Sequence, residues 1–106
     1  MLYLFTKKQL LLIECELKSL GLWANEPPSD EAMSDPTPFA CQSMPFEHWL
    51  QFIFIPKMSL IVTERKSLPQ NIALGPMAEH IWSLQPKMKP LITIIYQLDE
   101  RLSEPR

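Results

Sequence analysis

Eleven prolines and only two glycines divide this chain of 106 residues into short segments. Proline stiffens the backbone and interrupts helices and inner strands, whereas glycine permits tight hairpins and phosphate-cradling loops. A glycine-rich nucleotide-binding motif is therefore excluded. Between the prolines, apolar residues recur at helical spacing, and no stretch alternates apolar and polar residues for long enough to form a strand. We predict a single all-α domain spanning residues 1–106.

The predicted architecture is a four-helix bundle-like arrangement, with helices at about residues 7–20, 45–65, 76–84 and 90–103. The first helix has a capping box that begins at Thr6, and Gly21 takes the C′ position at its end. Its predicted core stripe consists of Leu10, Ile13, Leu17 and Leu20. The last helix carries the clearest amphipathic stripe, formed by Leu91, Ile94, Ile95, Leu98 and Leu102.

The second helix is the most apolar segment, and its stripe of hydrophobic residues passes through Pro56. The predicted buried face consists of Leu50, Phe54, Met58 and Ile61. Proline lacks an N–H and clashes with the carbonyl four residues earlier, here that of Phe52. Because the stripe keeps its phase, we predict one kinked central helix rather than two helices. It is predicted to start around Ser43 to Pro45, with a serine cap and an early proline.

Residues 22–43 show no periodicity and contain four prolines and four acidic residues without one basic residue. They are predicted to form a long Pro-rich acidic loop between the first two helices. Loops of this length in compact domains are either functional or disordered. Trp23 and Phe39 near its ends are expected to pack on the core, because exposing them would forgo about 2 kcal/mol of burial each. The acidic middle is expected to be mobile.

The charge balance and the hydropathy pattern restrict the partners. Ten Lys and Arg against twelve Asp and Glu give a net charge of −2, which argues against a nucleic-acid binder that relies on phosphate neutralisation, so direct RNA contact is not expected. Lys7 and Lys8 interrupt the N-terminal apolar run, unlike a signal peptide. The most apolar stretch, residues 49–62, is shorter than the roughly 20 residues that span a membrane. We predict a cytoplasmic protein without membrane contact.

Candidates for catalysis or metal binding are scarce. The cysteines and histidines are Cys15, Cys41, His48 and His80. Zinc ligands usually come in close pairs such as CxxC or HxxxH, and none of these residues has such a neighbour. Cys15 is flanked by Glu14 and Glu16, whereas a reactive thiol needs electropositive surroundings. No catalytic residue, metal or cofactor is predicted.

Two interpretations remain open for the aromatic central segment. It could line an apolar pocket, with Gln51 and Lys57 as polar contacts to a ligand. It could instead be packed core, with Lys57 paired to an acidic residue such as Glu79, and this interpretation is favoured. The predicted binding residues are Trp23, Phe39, Trp49, Gln51, Lys57 and Glu79.

Several motifs along the chain form a recognisable pattern. They are Leu22-Trp23, Pro27-Pro28, Pro38-Phe39, Met44, the block Trp49-Leu50-Gln51-Phe52-Ile53-Phe54-Ile55-Pro56-Lys57-Met58, Leu68-Pro69 and Pro76-Met77-Ala78-Glu79. The pattern resembles that of the YqcC-like family, small all-helical bacterial proteins of unknown function. The resemblance implies a four-helix arrangement. The chain departs from the family at Gln42-Ser43, where members often carry Asp-Thr.

The resemblance also implies a partner. Some members carry a label that links them to a tRNA pseudouridine synthase, because their genes lie beside that enzyme's gene. Those synthases use an Asp in an Arg-Leu-Asp setting on a much larger α/β scaffold, whereas this chain has Gln97-Leu98-Asp99 on a terminal helix, with Asp99 expected in solvent.

The function predicted from these observations is a non-catalytic helical accessory or protein-interaction module. Its expected partner is a tRNA pseudouridine synthase or another protein. The alternative is a small-ligand-binding domain with an apolar pocket near the kinked helix. The oligomeric state stays open, a homodimer included.

Overall fold

The computed structural model describes residues 2–105, and all of the regular secondary structure in this range is helical. Met1 and Arg106, the two ends of the predicted domain, lie outside it. The α-helical segments are α1 (Leu2–Ser19), α2 (Asp30–Met33), α3 (Phe46–Trp49), α4 (Ile55–Thr63), α5 (Leu74–Trp82) and α6 (Lys89–Ser103). The predicted all-α class is confirmed.

The core forms where α6 packs against α1 and α5, with α1 also packed against α4. Four residues of the predicted α6 stripe have no exposed surface: Leu91, Ile95, Leu98 and Leu102. Ile94, the fifth, is half-buried. Three residues of the predicted α1 stripe join the same apolar cluster: Leu10, Ile13 and Leu17. Helical periodicity alone therefore located the buried faces of both long helices.

The start of α1 differs from the prediction. The helix begins at Leu2, so Thr6 lies inside it and the predicted capping box is wrong. The additional turn is held by Tyr3, whose hydroxyl donates to the carbonyl of Lys66 at 2.6 Å, and Arg65 stacks over its ring. These contacts join residues more than 60 positions apart. No local pattern near Thr6 could have revealed them.

The end of α1 follows the prediction. Gly21 has a φ of 74°, and its N–H donates to the carbonyl of Lys18 at 3.1 Å. The N–H of Leu22 donates to the carbonyl of Leu17 at 2.9 Å. This pair of bonds is a Schellman motif, which needs a left-handed residue at C′ and favours glycine there.

The position of Thr6 yields a prediction. Its hydroxyl oxygen is buried and has no hydrogen-bond partner among residues 2–105. An unpaired buried hydroxyl costs about 1–3 kcal/mol. We expect Thr6→Val, which keeps the shape and removes the hydroxyl, to raise the free energy of unfolding by about 1 kcal/mol in urea titrations. Thr6→Ser keeps the hydroxyl and should not stabilise. A loss of stability in Thr6→Val would show that the hydroxyl is paired.

The central helix passes through Pro56 by means of a π-helical turn. Helical backbone runs through α3, the π turn Leu50–Phe54 and α4, and the N–H of Ile55 donates to the carbonyl of Leu50. A π turn holds one more residue than an α turn, so it loosens the backbone just where the proline ring meets the preceding carbonyls. Three residues of the predicted stripe are buried: Leu50, Phe54 and Met58.

The start of the central helix differs from the prediction. The helix begins at Phe46 after Pro45, with no side-chain cap, so the predicted cap at Ser43 is wrong.

The segment between α1 and α3 contains two short helical turns that the sequence did not predict. Ser29 accepts a hydrogen bond from the N–H of Ala32 at 3.1 Å and caps α2, and a 3₁₀ turn follows at Pro38–Ala40. The Asp35 carboxylate accepts from the N–H and the hydroxyl of Thr37, and these bonds hold its pKa below the ordinary value. Trp23 and Phe39 both pack against the core. Mobility of the acidic middle stays a prediction.

Candidate interaction surfaces

The structure distributes the six predicted binding residues over four places. Phe39 and Trp49 meet, with ring centroids 4.9 Å apart. Trp23 and Gln51 are both next to Ala24. Trp23 precedes Ala24 in the chain, and the side chain of Gln51 binds the backbone of Ala24. Lys57 and Glu79 are exposed on different helices, and the salt bridges found within residues 2–105 do not include this pair. Glu79 instead accepts from the Tyr96 hydroxyl at 3.3 Å.

Gln51 holds the loop in place. Its side chain is buried, its Oε1 accepts from the N–H of Ala24 at 2.8 Å, and its Nε2 donates to the carbonyl of Ala24 at 2.8 Å. The two bonds satisfy both backbone groups of a loop residue, as a neighbouring strand would. The carboxamide therefore fixes the beginning of the loop against the π turn.

Three rings form what we call the aromatic corner: Phe39, Phe46 and Trp49. Phe39 meets Phe46 and Trp49 edge-on, at centroid distances of 5.6 and 4.9 Å. Phe46 and Trp49 stack at 5.8 Å. Both geometries are the ones that aromatic quadrupoles prefer. Phe46 is buried, whereas Phe39 and Trp49 are half-buried, so the corner joins the core to the surface.

The backbone that presents Phe39 is strained. Phe39 and Ala40 have φ values of 58° and 49°, in the left-handed region that residues with a Cβ rarely enter. Such conformations cost about 1–3 kcal/mol each and persist where the surroundings impose them, commonly at functional positions. Ala40 is buried, and its carbonyl accepts from the N–H groups of Ser43 and Met44. In this backbone conformation the Phe39 ring lies against Trp49.

A groove of about 670 Å³ lies between α1 and α4, and we call it the α1/α4 groove. Its apolar lining includes buried Leu10 and half-buried Ile55 and Val62. Two leucines on its α1 side project into solvent, Leu4 with 70% and Leu11 with 54% of its surface exposed. Neither leucine belongs to the predicted core stripe of α1, so this surface was not predicted from the sequence. Leucines at positions outside that stripe were the available signal.

Asp99 was expected in solvent, and this expectation is wrong. Its carboxylate is half-buried and accepts from the N–H of Leu74 at 3.1 Å and from the N–H of Gly75 at 2.6 Å. These are among the N–H groups at the start of α5 that have no partner within the helix. Asp99 thus caps α5 from α6, which lets α5 begin at Leu74 rather than near residue 76.

The environment of Asp99 gives a prediction on pH. Burial raises the pKa of this carboxyl above its ordinary value of 3.8, against the opposing effect of the two N–H donors. The folded state then keeps the proton at higher pH than the unfolded state does. The resulting stabilisation is complete below pH 3.8 and is lost as the pH rises through the folded pKa. The unfolding free energy of the wild type minus that of Asp99→Asn should increase as the pH falls toward 3.8. If this difference in unfolding free energy decreases as the pH falls, burial does not raise the pKa of Asp99.

The remaining candidates are dispersed. Cys15 and Cys41 are exposed free thiols. His48 lies edge-on to Phe52 at a centroid distance of 6.2 Å, and His80 is exposed. Across residues 2–105, no three His, Cys, Asp or Glu side chains lie close enough together to hold a metal ion. None of the helices in this range has the length and hydropathy of a membrane span.

Residues 6–101 match the sequence pattern of the protein family DUF446, which is described as "tRNA pseudouridine synthase C". The chain belongs to the DUF446 family. Two similar proteins support this membership. An uncharacterized protein of Haemophilus influenzae is 33% identical over 95 residues, which cover 90% of each chain. The Escherichia coli protein YqcC is 30% identical over 71 residues, 67% of this chain and 65% of YqcC. The resemblance to the YqcC-like family is therefore confirmed.

The same fold is seen in a solved structure. The solution NMR structure of E. coli YqcC superposes with a TM-score of 0.87 and covers 99% of this chain and 91% of YqcC. Sequence identity in that comparison is 23%, so the likeness shows the fold alone.

One similar protein carries an enzyme's name. A tRNA pseudouridine synthase C of Pectobacterium carotovorum is 32% identical over 65 residues, which make up 61% of this chain but 17% of that protein. Most of the Pectobacterium protein therefore lies outside the match with this DUF446 chain.

Proposed function

We propose that this chain is a non-catalytic helical module that binds a tRNA pseudouridine synthase. The observation that carries the proposal is the Pectobacterium synthase, in which a segment similar to this chain makes up a small part of a much longer protein. In the Haemophilus influenzae protein, by contrast, the similar segment covers 90% of the chain. A module that is a small part of an enzyme in one bacterium and nearly the whole of a protein in another is expected to work beside that enzyme in both. The proposal places this chain in the bacterial cytoplasm, with tRNA as a substrate of the partner.

The aromatic corner is the surface that we assign to the synthase. Interfaces are enriched in Phe, Tyr and Trp, and their binding energy concentrates in a few central aromatic residues. Phe39 and Trp49 are half-buried and are preorganised by the strained backbone at Phe39 and Ala40. A preorganised aromatic surface loses little conformational entropy on binding.

The small-ligand alternative has no comparable observation in its favour. Gln51, its expected polar contact, is engaged by both backbone groups of Ala24. Lys57 and Glu79 are exposed on α4 and α5 and do not line the α1/α4 groove. We therefore propose the interaction function alone.

The test is co-elution of the purified chain with tRNA pseudouridine synthase C from the same bacterium. The wild-type chain should elute with the synthase. Phe39→Gly removes the ring and suits the positive φ, so it should fold and weaken the complex by about tenfold or more, as one lost hot-spot residue does. Leu84→Ala removes an equally apolar side chain that is 94% exposed and lies outside the corner, and it should bind normally. Separate elution of the wild-type chain and the synthase would overturn the proposal.

A further inference from the structure

The α1/α4 groove and the exposed leucines Leu4 and Leu11 belong to one surface of the molecule. The groove has a volume of about 670 Å³, and Leu4 and Leu11 project from its α1 side. Its lining combines apolar Leu10, Ile55 and Val62 with charged and hydroxyl-bearing side chains. Large exposed leucines next to a groove with apolar residues in its lining are typical of an interaction surface. A surface that carries both projecting leucines and a groove can pair with the same surface of a second copy, because a two-fold interface brings identical surfaces together.

The charges on this face indicate how two copies align. Leu4, Lys7, Leu11 and Glu14 all line the groove, so they share one face of α1. The helix Leu2–Ser19 has its midpoint between Leu10 and Leu11. Lys7 and Glu14 lie equally far from that midpoint, about 5 Å along the axis in opposite directions.

Full-length antiparallel pairing of two α1 helices therefore places each Lys7 opposite Glu14 of the second copy. Two such ion pairs form, related by the two-fold axis. Parallel pairing would instead place Lys7 beside Lys7 and Glu14 beside Glu14, and like charges at an interface oppose binding. The exposed charges select the orientation, and the leucines supply the apolar contact.

We propose that the chain forms a two-fold dimer in which α1 of one copy lies antiparallel in the α1/α4 groove of the other. The inference rests on α1 and α4 and is independent of the synthase, because it concerns the isolated chain.

Sedimentation equilibrium of the purified chain tests the proposal. The wild type should dimerise, and Leu11→Arg should be monomeric because it introduces a charge at the centre of the interface. Leu84→Arg is the matched control, since Leu84 is exposed but does not line the groove, and it should dimerise normally. Circular dichroism should show all variants folded. A wild type that stays monomeric up to about 1 mM, or a dimer that survives Leu11→Arg, would overturn the proposal.

Charge reversal tests the antiparallel register. Lys7→Glu alone and Glu14→Lys alone each create two like-charge contacts across the axis and should weaken the dimer by about tenfold or more. An equimolar mixture of the two variants restores both ion pairs, so it should form a heterodimer of nearly wild-type affinity. Glu14→Lys also removes the ion pair of Glu14 with Lys18, and the helicity of this variant checks that α1 is intact. If mixing restores nothing, the proposed interface is wrong.

Discussion

Replacement of Gln51 by leucine is expected to lower the free energy of unfolding by about 2–4 kcal/mol. The substitution removes the two hydrogen bonds to Ala24 and leaves its N–H and carbonyl without their partner, and each unpaired group costs about 1–3 kcal/mol. The loop that starts at Trp23 should loosen at the same time. Urea unfolding gives the free energy, and faster amide exchange at Ala24 reports the loosening.

Gln9→Leu is the matched control for Gln51→Leu. Gln9 is also buried, but its side chain makes one hydrogen bond to the backbone, to the carbonyl of Ile94 at 3.1 Å. The same substitution there should cost about 1 kcal/mol. Equal losses at the two positions would show that Gln51 does not hold the loop as the distances indicate.

Gly75→Ala is expected to destabilise the protein by about 1–3 kcal/mol, because α5 and α6 are in contact at this residue. A Cβ at Gly75 would lie 2.5 to 2.8 Å from three ring carbons of Tyr96, closer than packed atoms approach. One of these carbons is Cγ, the first ring atom, so rotation of the ring cannot clear the space. The helices must separate, and thermal unfolding should show the loss.

Tyr96→Ala should rescue Gly75→Ala, because it removes the ring that the new methyl group meets. The double-mutant cycle should give a coupling energy of about 1 kcal/mol or more. Gly21→Ala is the contrasting case. The expected loss of stability in Gly21→Ala arises from the backbone, because Gly21 has a φ of 74° and, among residues 2–105, nothing beyond its chain neighbours lies within 4 Å of the new Cβ. Tyr96→Ala should therefore not relieve it. Strict additivity of Gly75→Ala and Tyr96→Ala would contradict the contact.

The parts of the fold that follow from local physics were predictable from the sequence. The stripe Leu91 to Leu102 is buried on α6, and the Schellman motif forms at Gly21. Both depend on residues within one or two helical turns. Helix starts were less predictable, because Tyr3 holds the start of α1 and Asp99 caps α5 from positions distant in sequence. The π turn before Pro56 depends on how the surrounding core accepts the extra residue.

The candidate surfaces were predictable in part. Trp49 and Phe39 were named from composition and position, and they meet in the structure. Gln51 was named as a ligand contact, but its partner Ala24 is 27 residues away, and no pattern in the sequence indicates that pairing. The α1/α4 groove was missed because two helices create it together. Leu4 and Leu11 look ordinary until α4 is placed beside them.

Isothermal titration of tRNA pseudouridine synthase C with this chain is the measurement that tests the proposed partnership most directly. We expect saturable binding with a dissociation constant of about 10 μM or tighter, and a weaker constant for Phe39→Gly. Absence of binding at protein concentrations near 1 mM, with both proteins folded and the synthase active on tRNA, would contradict the partnership.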